Sequence, residues 1–404
     1  MVDLNIFEFP LSLILASVPV LCILICNNGK LKKLLMSGTA AAVLMAVVTL
    51  FLVVEGIWGF GLFHHWAFVA AVLLALLSLG FAALSDIEKK SPCALMSHLG
   101  LFFVLTGGLF GAPDRTEVMM QLFINGPEGH IALDAEGNTV PLPFNVALQD
   151  FTIDYYEDGS SPKQYTSSLE IDGKALQTSV NHPCRYKGYH IYQSSFDTEG
   201  GSYSVLKIVR DPWLPLIALG ALLLAVAAVL SLGTVWKSWK VLLAALALAA
   251  VFAVLSVARI KFGTLVPALR NLWFVPHLII YMLAYSVMAL SVVAGVVSLF
   301  SARIPGQLSA KLLSTASSLL LIGMLCGAVW AQQAWGNYWT WDAKECWAAV
   351  TWLLTLCATH IHGKNRKLIF TILAFLAMQI TWYGVNYLPA AHNSLHTYNQ
   401  ESSL

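Results

Sequence analysis

Between Trp335 and Trp352 the chain reads Trp-Gly-Asn-Tyr-Trp-Thr-Trp-Asp-Ala-Lys-Glu-Cys-Trp-Ala-Ala-Val-Thr-Trp. Five Trp and one Tyr fall in these eighteen positions, interleaved with Asp342, Lys344 and Glu345. The stretch lies between two long apolar runs, where the chain turns at a membrane surface. Interfacial Trp and Tyr ordinarily form an anchoring belt at the headgroup level. A belt spreads over many helix ends and needs no Gly, Asp or Glu at set offsets. It accounts for one or two of these side chains and poorly for the cluster. Indoles grouped this way make a shelf for a flat, hydrophobic, partly charged ligand such as a porphyrin.

The eleven His form the second feature with chemistry in it. An ionisable residue inside a span is expensive and marks a functional position. His98 and His360 fall near the inner ends of two predicted spans, so they are expected at one depth. His277 opens a span at the outer face and His396 follows the last span on that side, beside the Trp-rich stretch. Two imidazoles on opposite sides of one iron give a six-coordinate haem whose potential the axial ligands set. A lone His in a helix is more often a hydrogen-bonded packing residue; two pairs at matched depths favour ligation. His362 and His392 neighbour two of the candidates, and spacing alone does not choose His360 over His362 or His396 over His392. His64 and His65 sit at an outer helix end and read as interfacial. His130, His182 and His190 read as surface or strand residues.

These depths depend on the spans. The chain has 404 residues, 58% hydrophobic and only 11% charged, with net charge +1. Soluble proteins carry about 25% charged residues, so this chain is expected in lipid, and its neutrality argues against nucleic acid as a partner. A span needs roughly twenty apolar residues. Ten candidates satisfy this, at about 11–27, 33–54, 61–84, 94–112, 213–233, 239–258, 275–300, 311–333, 346–362 and 368–388. No basic region precedes the first, so it is expected to stay rather than be cleaved as a signal peptide. Lys30, Lys32 and Lys33, then Lys89 and Lys90, Lys237 and Lys240, Arg303 and Lys311, and Lys364, Arg366 and Lys367 all fall on one side of a ten-span topology. Positive loops lie inside. Both termini, the Trp-rich stretch and residues 113–212 are then outside.

The segment 113–212 alternates apolar and polar residues, as in Phe151-Thr-Ile-Asp-Tyr-Tyr, and turn signals such as Glu136-Gly-Asn, Glu157-Asp-Gly and Asp172-Gly break the runs. It is expected to fold as short antiparallel strands. The fold class is therefore a polytopic α-helical membrane protein of about ten transmembrane helices with one small β-rich extracytoplasmic domain. Its predicted divisions are 1–112, 113–212 and 213–404. The seven Cys include no Cys-x-x-Cys pair, which leaves a thioredoxin-like site or zinc ribbon unsupported.

The run from Trp335 to Trp347 resembles the tryptophan-rich WWD signature of haem-handling proteins. Glu345, Thr351-Trp352 and His360 favour the CcsA branch over CcmC and CcmF. Leu269-Arg-Asn-Leu-Trp-Phe-Val-Pro-His277, Tyr383-Gly-Val-Asn-Tyr-Leu and Leu395-His-Thr-Tyr resemble further segments of that branch. Ser97-His-Leu-Gly-Leu, Gly188-Tyr-His-Ile-Tyr-Gln-Ser-Ser-Phe and Val209-Arg-Asp-Pro-Trp resemble the ResB or CcsB partner. The whole resembles a fused CcsB–CcsA system II cytochrome c synthase, over roughly residues 60–404, with an outer domain shorter than the family's usual one.

The resemblance implies a bacterial inner-membrane protein that carries haem b, iron protoporphyrin IX, outward and joins it to a Cys-x-x-Cys-His apocytochrome c. Thiol-disulfide reductants are implied as further partners. It makes His98 and His360 ligands of a transmembrane haem, and His277 and His396 ligands of an external one. Trp335, Gly336, Trp339, Trp341, Asp342 and Glu345 become the working surface of the loop, with Lys344 and Trp347 also against haem. A haem exporter without lyase activity and a b-type cytochrome serving quinone are the alternatives.

Overall fold

A computed structural model describes residues 8–26, 29–198, 201–233, 265–301 and 306–393, with scattered positions between 240 and 251. Its helices are α1 (Leu11–Ile25), α2 (Lys30–Leu35), α3 (Gly38–Trp58), α4 (Trp66–Glu88), α5 (Pro92–Gly111), α6 (Leu214–Leu232), α7 (Phe274–Phe300), α8 (Gly306–Trp335), α9 (Ala343–His360) and α10 (Lys364–Trp382). Nine of them stand where a span is predicted, and α2 is a short addition. The remaining predicted span, 239–258, lies largely outside the described residues. Six, α3 to α8, are long and apolar enough to cross a membrane. α1 is short, and α9 and α10 are less apolar. The chain is a multi-pass membrane protein, but ten spans are not reached by length and hydropathy.

Small residues let these helices approach closely, which matters in lipid because packing, not hydrophobicity, holds them together. The backbones of α5 and α6 touch at Gly100 and Gly220, where an added Cβ would stand 2.8 Å and 2.6 Å from the other's carbonyl oxygen. Farther along the same antiparallel pair, Ile217 fills the notch at Gly107 and Trp213 that at Gly111. Asp114 closes the end of the pair next to the sheet, accepting from Trp213 Nε1 at 2.6 Å, Phe9 N at 2.6 Å and Ser12 Oγ at 2.7 Å. A Gly100→Leu protein is expected to lower the melting temperature in detergent by several degrees, since overpacking costs about 1–3 kcal/mol. A differential scanning fluorescence melt checks this.

α7 to α10 share one apolar core containing Tyr281, Tyr285, Met288, Leu320, Trp352 and Met378. α3 joins them against α9: Gly38 meets the His360 carbonyl at one end, and Gly56 meets the Trp347 ring at the other. The pair is therefore antiparallel. At the His360 end lie Lys89 and Lys90 after α4, and Lys364 Nζ donating to the Ser298 carbonyl at 2.5 Å. The Trp-rich loop and the sheet lie at the other end.

The polar segment forms eight antiparallel strands, β1 (Thr116–Phe123), β2 (Gly129–Leu133), β3 (Thr139–Tyr155), β4 (Pro162–Ile171), β5 (Lys174–Ser179), β6 (Cys184–Tyr186), β7 (Tyr189–Phe196) and β8 (Tyr203–Arg210). Their order is β5-β4-β3-β2-β1-β8-β7-β6. The sheet curls toward a barrel: Thr178 of β5 donates to the Ile191 carbonyl of β7 at 2.7 Å, and Ser167 of β4 donates to Gln193 at 2.6 Å. Alternate residues such as Val118, Phe144, Val146, Ile171, Ile191 and Leu206 fill the inside. The foreseen turns occur with Gly137, Gly159 and Gly173 at positive φ.

Asp172 in the β4–β5 turn accepts from Lys187 Nζ, Tyr186 Oη and the Asn145 amide. Lys187 foremost holds its carboxyl down at about 2, below the ordinary 3.8. A depressed carboxyl contributes stability above its unfolded value and loses it as pH falls through the folded value. The protection factors of amides in this turn, corrected for intrinsic exchange, are therefore expected to fall between about pH 4 and pH 2, and to stay level across that window in Asp172→Asn.

Candidate functional site

The Trp-rich loop ends in a helix cap. Asp342 Oδ1 accepts from the Glu345 amide at 2.8 Å, and Glu345 Oε2 accepts from the Thr340 amide at 2.7 Å and its hydroxyl at 3.1 Å. This is a variant of the capping box, satisfying N–H groups at the start of α9. Both carboxylates, expected at a ligand, thus shape the loop. Between them and the loop's Gly336, Trp341 adopts φ +61°, a strained conformation for a bulky residue. The strain turns its ring onto Phe63, 4.3 Å between centroids and nearly parallel, with Trp339 edge-on at 5.6 Å. Trp339 Nε1 is buried with no hydrogen-bond partner among the described residues. Trp347 points the other way. It is buried against α3 and donates to the Gly56 carbonyl at 3.3 Å, under the loop rather than on its face. Lys344 stands half-buried in the first turn of α9.

His277 sits in a seat made by α8. Gly323 and Gly327 are one turn apart, and their bare backbones admit Tyr281 and His277. A Cβ at Gly327 would stand 2.7 Å from His277 Cε1 and Nδ1. Nδ1 lies 2.8 Å from the Gly323 carbonyl oxygen. An oxygen there can only accept, so Nδ1 donates and the ring's lone pair is on Nε2. Metal-binding His are held in this way, with the second nitrogen's N–H fixed by a carbonyl or carboxylate. Tyr281 packs edge-on at 4.8 Å. Trp330 lies 5.8 Å away, buried, and packs in turn on Trp335 at 5.2 Å and Phe274 at 4.9 Å.

The barrel is seated on this corner. Gly336 has φ +81°, and a Cβ there would stand 2.9 Å from the Tyr192 ring. Tyr192, 2% exposed, accepts from Gln332 Nε2 at 2.8 Å. Arg115 donates to the Gly336 carbonyl, to Asn337 Oδ1 and to Glu117. Asn271, just before α7, donates to Asn181 of the barrel at 3.1 Å and Gln333 of α8 at 3.0 Å. The strands therefore brace the segments that carry His277 and the loop.

At the opposite end, His98 Nδ1 lies 2.6 Å from Asp86 Oδ2, and His360 Nδ1 lies 2.9 Å from the Leu356 carbonyl of its own helix. Both stand at the same end of the bundle. No hydrogen bond or ring contact joins them among the described residues; α5 bears on α4 and α6, α9 on α3, α8 and α10. His362 is exposed. His396 lies outside the described residues, and of His392 only the backbone turn Pro389–Asn393 is described, packed on α3 and α9. His64 and His65 are exposed between α3 and α4, at the end of the bundle that holds the Trp-rich loop.

Trp330, Phe63, Tyr192, Arg115 and Asp86 complete the two ends and were not singled out from sequence. Trp330 carried a signal, lying five residues before Trp335 on one helix. The others come from segments far apart in the chain.

An aromatic loop, a seated His and a bracing barrel thus meet at one end of a helical membrane bundle. A family model described as Cytochrome C assembly protein matches residues 213–392, and one described as ResB-like family matches residues 92–202. The chain is a fusion of ResB-like (CcsB) and CcsA-type parts of system II. Cytochrome c biogenesis protein CcsA of Hordeum vulgare is 44% identical over 98 residues, 22% of this chain and 29% of that protein. The CcsA proteins of Agrostis stolonifera, over 98 residues, and Oryza sativa, over 97, are 43% and 42% identical. The chain thus spans under a third of these relatives' length.

Proposed function

We propose that the chain moves haem b from the inner leaflet to the outer face and attaches it to the Cys-x-x-Cys-His motif of an apocytochrome c. The observation that carries this is the seat of His277, whose Nδ1 is committed to the Gly323 carbonyl, backed by the packed indoles of Trp330 and Trp335. The donor set fits haem: an imidazole of defined tautomer, apolar ring faces, and the buried Trp339 N–H that a haem carboxylate would satisfy. Haem is substrate here, and it brings the vinyl groups. Each partner thiol adds across one vinyl, sulfur to carbon and the proton to the neighbouring carbon, with no net electron transfer. Reductants that keep those thiols reduced are the further partners.

The chain's own residues orient and exclude water, and proximity is the main catalytic resource. His277, with His396, would hold the outer iron; His98 and His360, at the other end, the inner one. Trp335, Trp339 and Trp341 offer ring faces; Gly336, Asp342 and Glu345 set the loop's shape; Trp347 supports it from beneath. Residues 1–112 and 113–212 form the CcsB-like part and 213–404 the CcsA-like part. The barrel faces the outside of a bacterial inner membrane, with the Lys-rich loops in the cytoplasm. Lys344, in the first turn of α9, is the cation assigned to a propionate. A Lys344→Ala protein is expected to retain less haem with an unchanged melt; unchanged haem content removes that role.

Expression of this chain with an apocytochrome, in cells without other maturation machinery, tests the function. Covalent haem on the partner is expected. Haem on this chain without product means export alone, and reduction by quinol without attachment means a b-type electron carrier.

A further inference from the structure

A buried carboxylate at the inner end has no part in the reading above. Asp86 lies in the last turns of α4, 8% exposed among apolar helices. Its Oδ2 is 2.6 Å from His98 Nδ1 on α5, short enough for a charge-assisted hydrogen bond. Its backbone carbonyl accepts from the Ser91 amide at 3.0 Å, which anchors the turn that leads into α5. Carboxylate and ring therefore have a set separation, imposed by the helix hairpin that carries both. A charged side chain in this environment is expensive and persists where it has a function.

We propose that Asp86 is a positioning residue for the inner haem. It holds His98 with the proton on Nδ1 and the lone pair on Nε2. The inference rests on the assignment of His98 as an iron ligand. Given that assignment, the geometry is that of a carboxylate–histidine–metal triad, in which loss of the outer partner weakens binding about 10–100-fold. The two ends then use different acceptors: a neutral carbonyl behind His277 and a carboxylate behind His98. A carboxylate makes the imidazole more electron-rich and favours the oxidised iron. The inner haem is accordingly held at a lower potential than an amide in that position would give.

The test uses full-length protein made with ample haem, in a His277→Ala background so that the inner site dominates the spectrum. Asp86→Asn keeps shape and removes charge. It is expected to reduce inner haem content, to raise the midpoint potential of what remains, and to leave the melting profile unchanged. Asp86→Glu is expected to recover part of both. If Asp86→Asn matches its parent in haem content and potential while His98→Ala alters the spectrum, the positioning role is overturned and the ligand assignment stands. If His98→Ala also leaves the spectrum unchanged, the assignment itself falls. A shift in melting temperature with no change in potential identifies the pair as structural only and overturns the proposal.

Discussion

A Gly327→Val protein is expected to lose outer-site haem to nearly the same extent as His277→Ala, although residue 327 is no ligand. A Cβ at 327 would already stand 2.7 Å from the imidazole, and valine adds two methyl groups behind it. The α7 and α8 backbones are locked together along their length, with Tyr281 against Gly323 and Ser291 bonded to Ser309 at 2.9 Å. The ring therefore yields before the helices do. Leaving its seat, it loses the Gly323 carbonyl and with it the tautomer that puts the lone pair on Nε2. Loss of such a support costs about 10–100-fold in metal affinity. The Soret absorbance of the purified protein measures this. Gly327→Ala is expected to fall between wild type and valine. Wild-type absorbance in Gly327→Val, with His277→Ala reduced to its inner-site haem, would show that the seat is dispensable.

Gly336→Ala is expected to have the second-largest effect, and it acts through the barrel. A non-glycine residue in the left-handed region costs about 1–2 kcal/mol. The methyl would also press on Tyr192, which is fully buried and cannot retreat without opening its bond to Gln332. Overpacking of that kind adds about 1–3 kcal/mol. The loop and barrel should separate, which limited proteolysis reads as faster cleavage between residues 335 and 342. Combining it with Tyr192→Ala removes the collision but not the strained φ. The double variant is therefore expected to be less destabilised than the sum of the singles, and strict additivity would contradict a contact between them.

Much of the fold was legible in the sequence because its signals are local. Apolar runs located nine helices, and turn residues located the breaks between strands. The sheet's curl was not legible, because the side-chain bonds from β4 and β5 to β7 join residues far apart in the chain. The site divides similarly. The loop and His277 stood out by composition, and the seat beneath His277 did not, since Gly323 and Gly327 read as ordinary small residues in a span. Asp342 and Glu345 carried two signals at once. Asp followed three positions later by Glu is a helix-start signature, and that local role is the one the geometry displays. Trp347 was grouped with its neighbours by identity, whereas its position within α9 turns it toward α3. Asp86 lies three residues before the basic pair Lys89 and Lys90, and nothing in the sequence singles it out. Only its approach to His98 does so.

α8 serves as a common ruler for the outer end. Within thirteen residues it presents the imidazole's seat at 323 and 327, the indole at 330, the amides at 332 and 333 that hold Tyr192 of the barrel and Asn271 before α7, and the indole at 335. One residue inserted after 327 would rotate everything beyond it by about 100°, so indoles and amides would face away while the imidazole kept its place. Spacing along this helix is therefore far less tolerant of insertion or deletion than the hairpin tips of the barrel, and length variation among related chains should collect in those tips and avoid it.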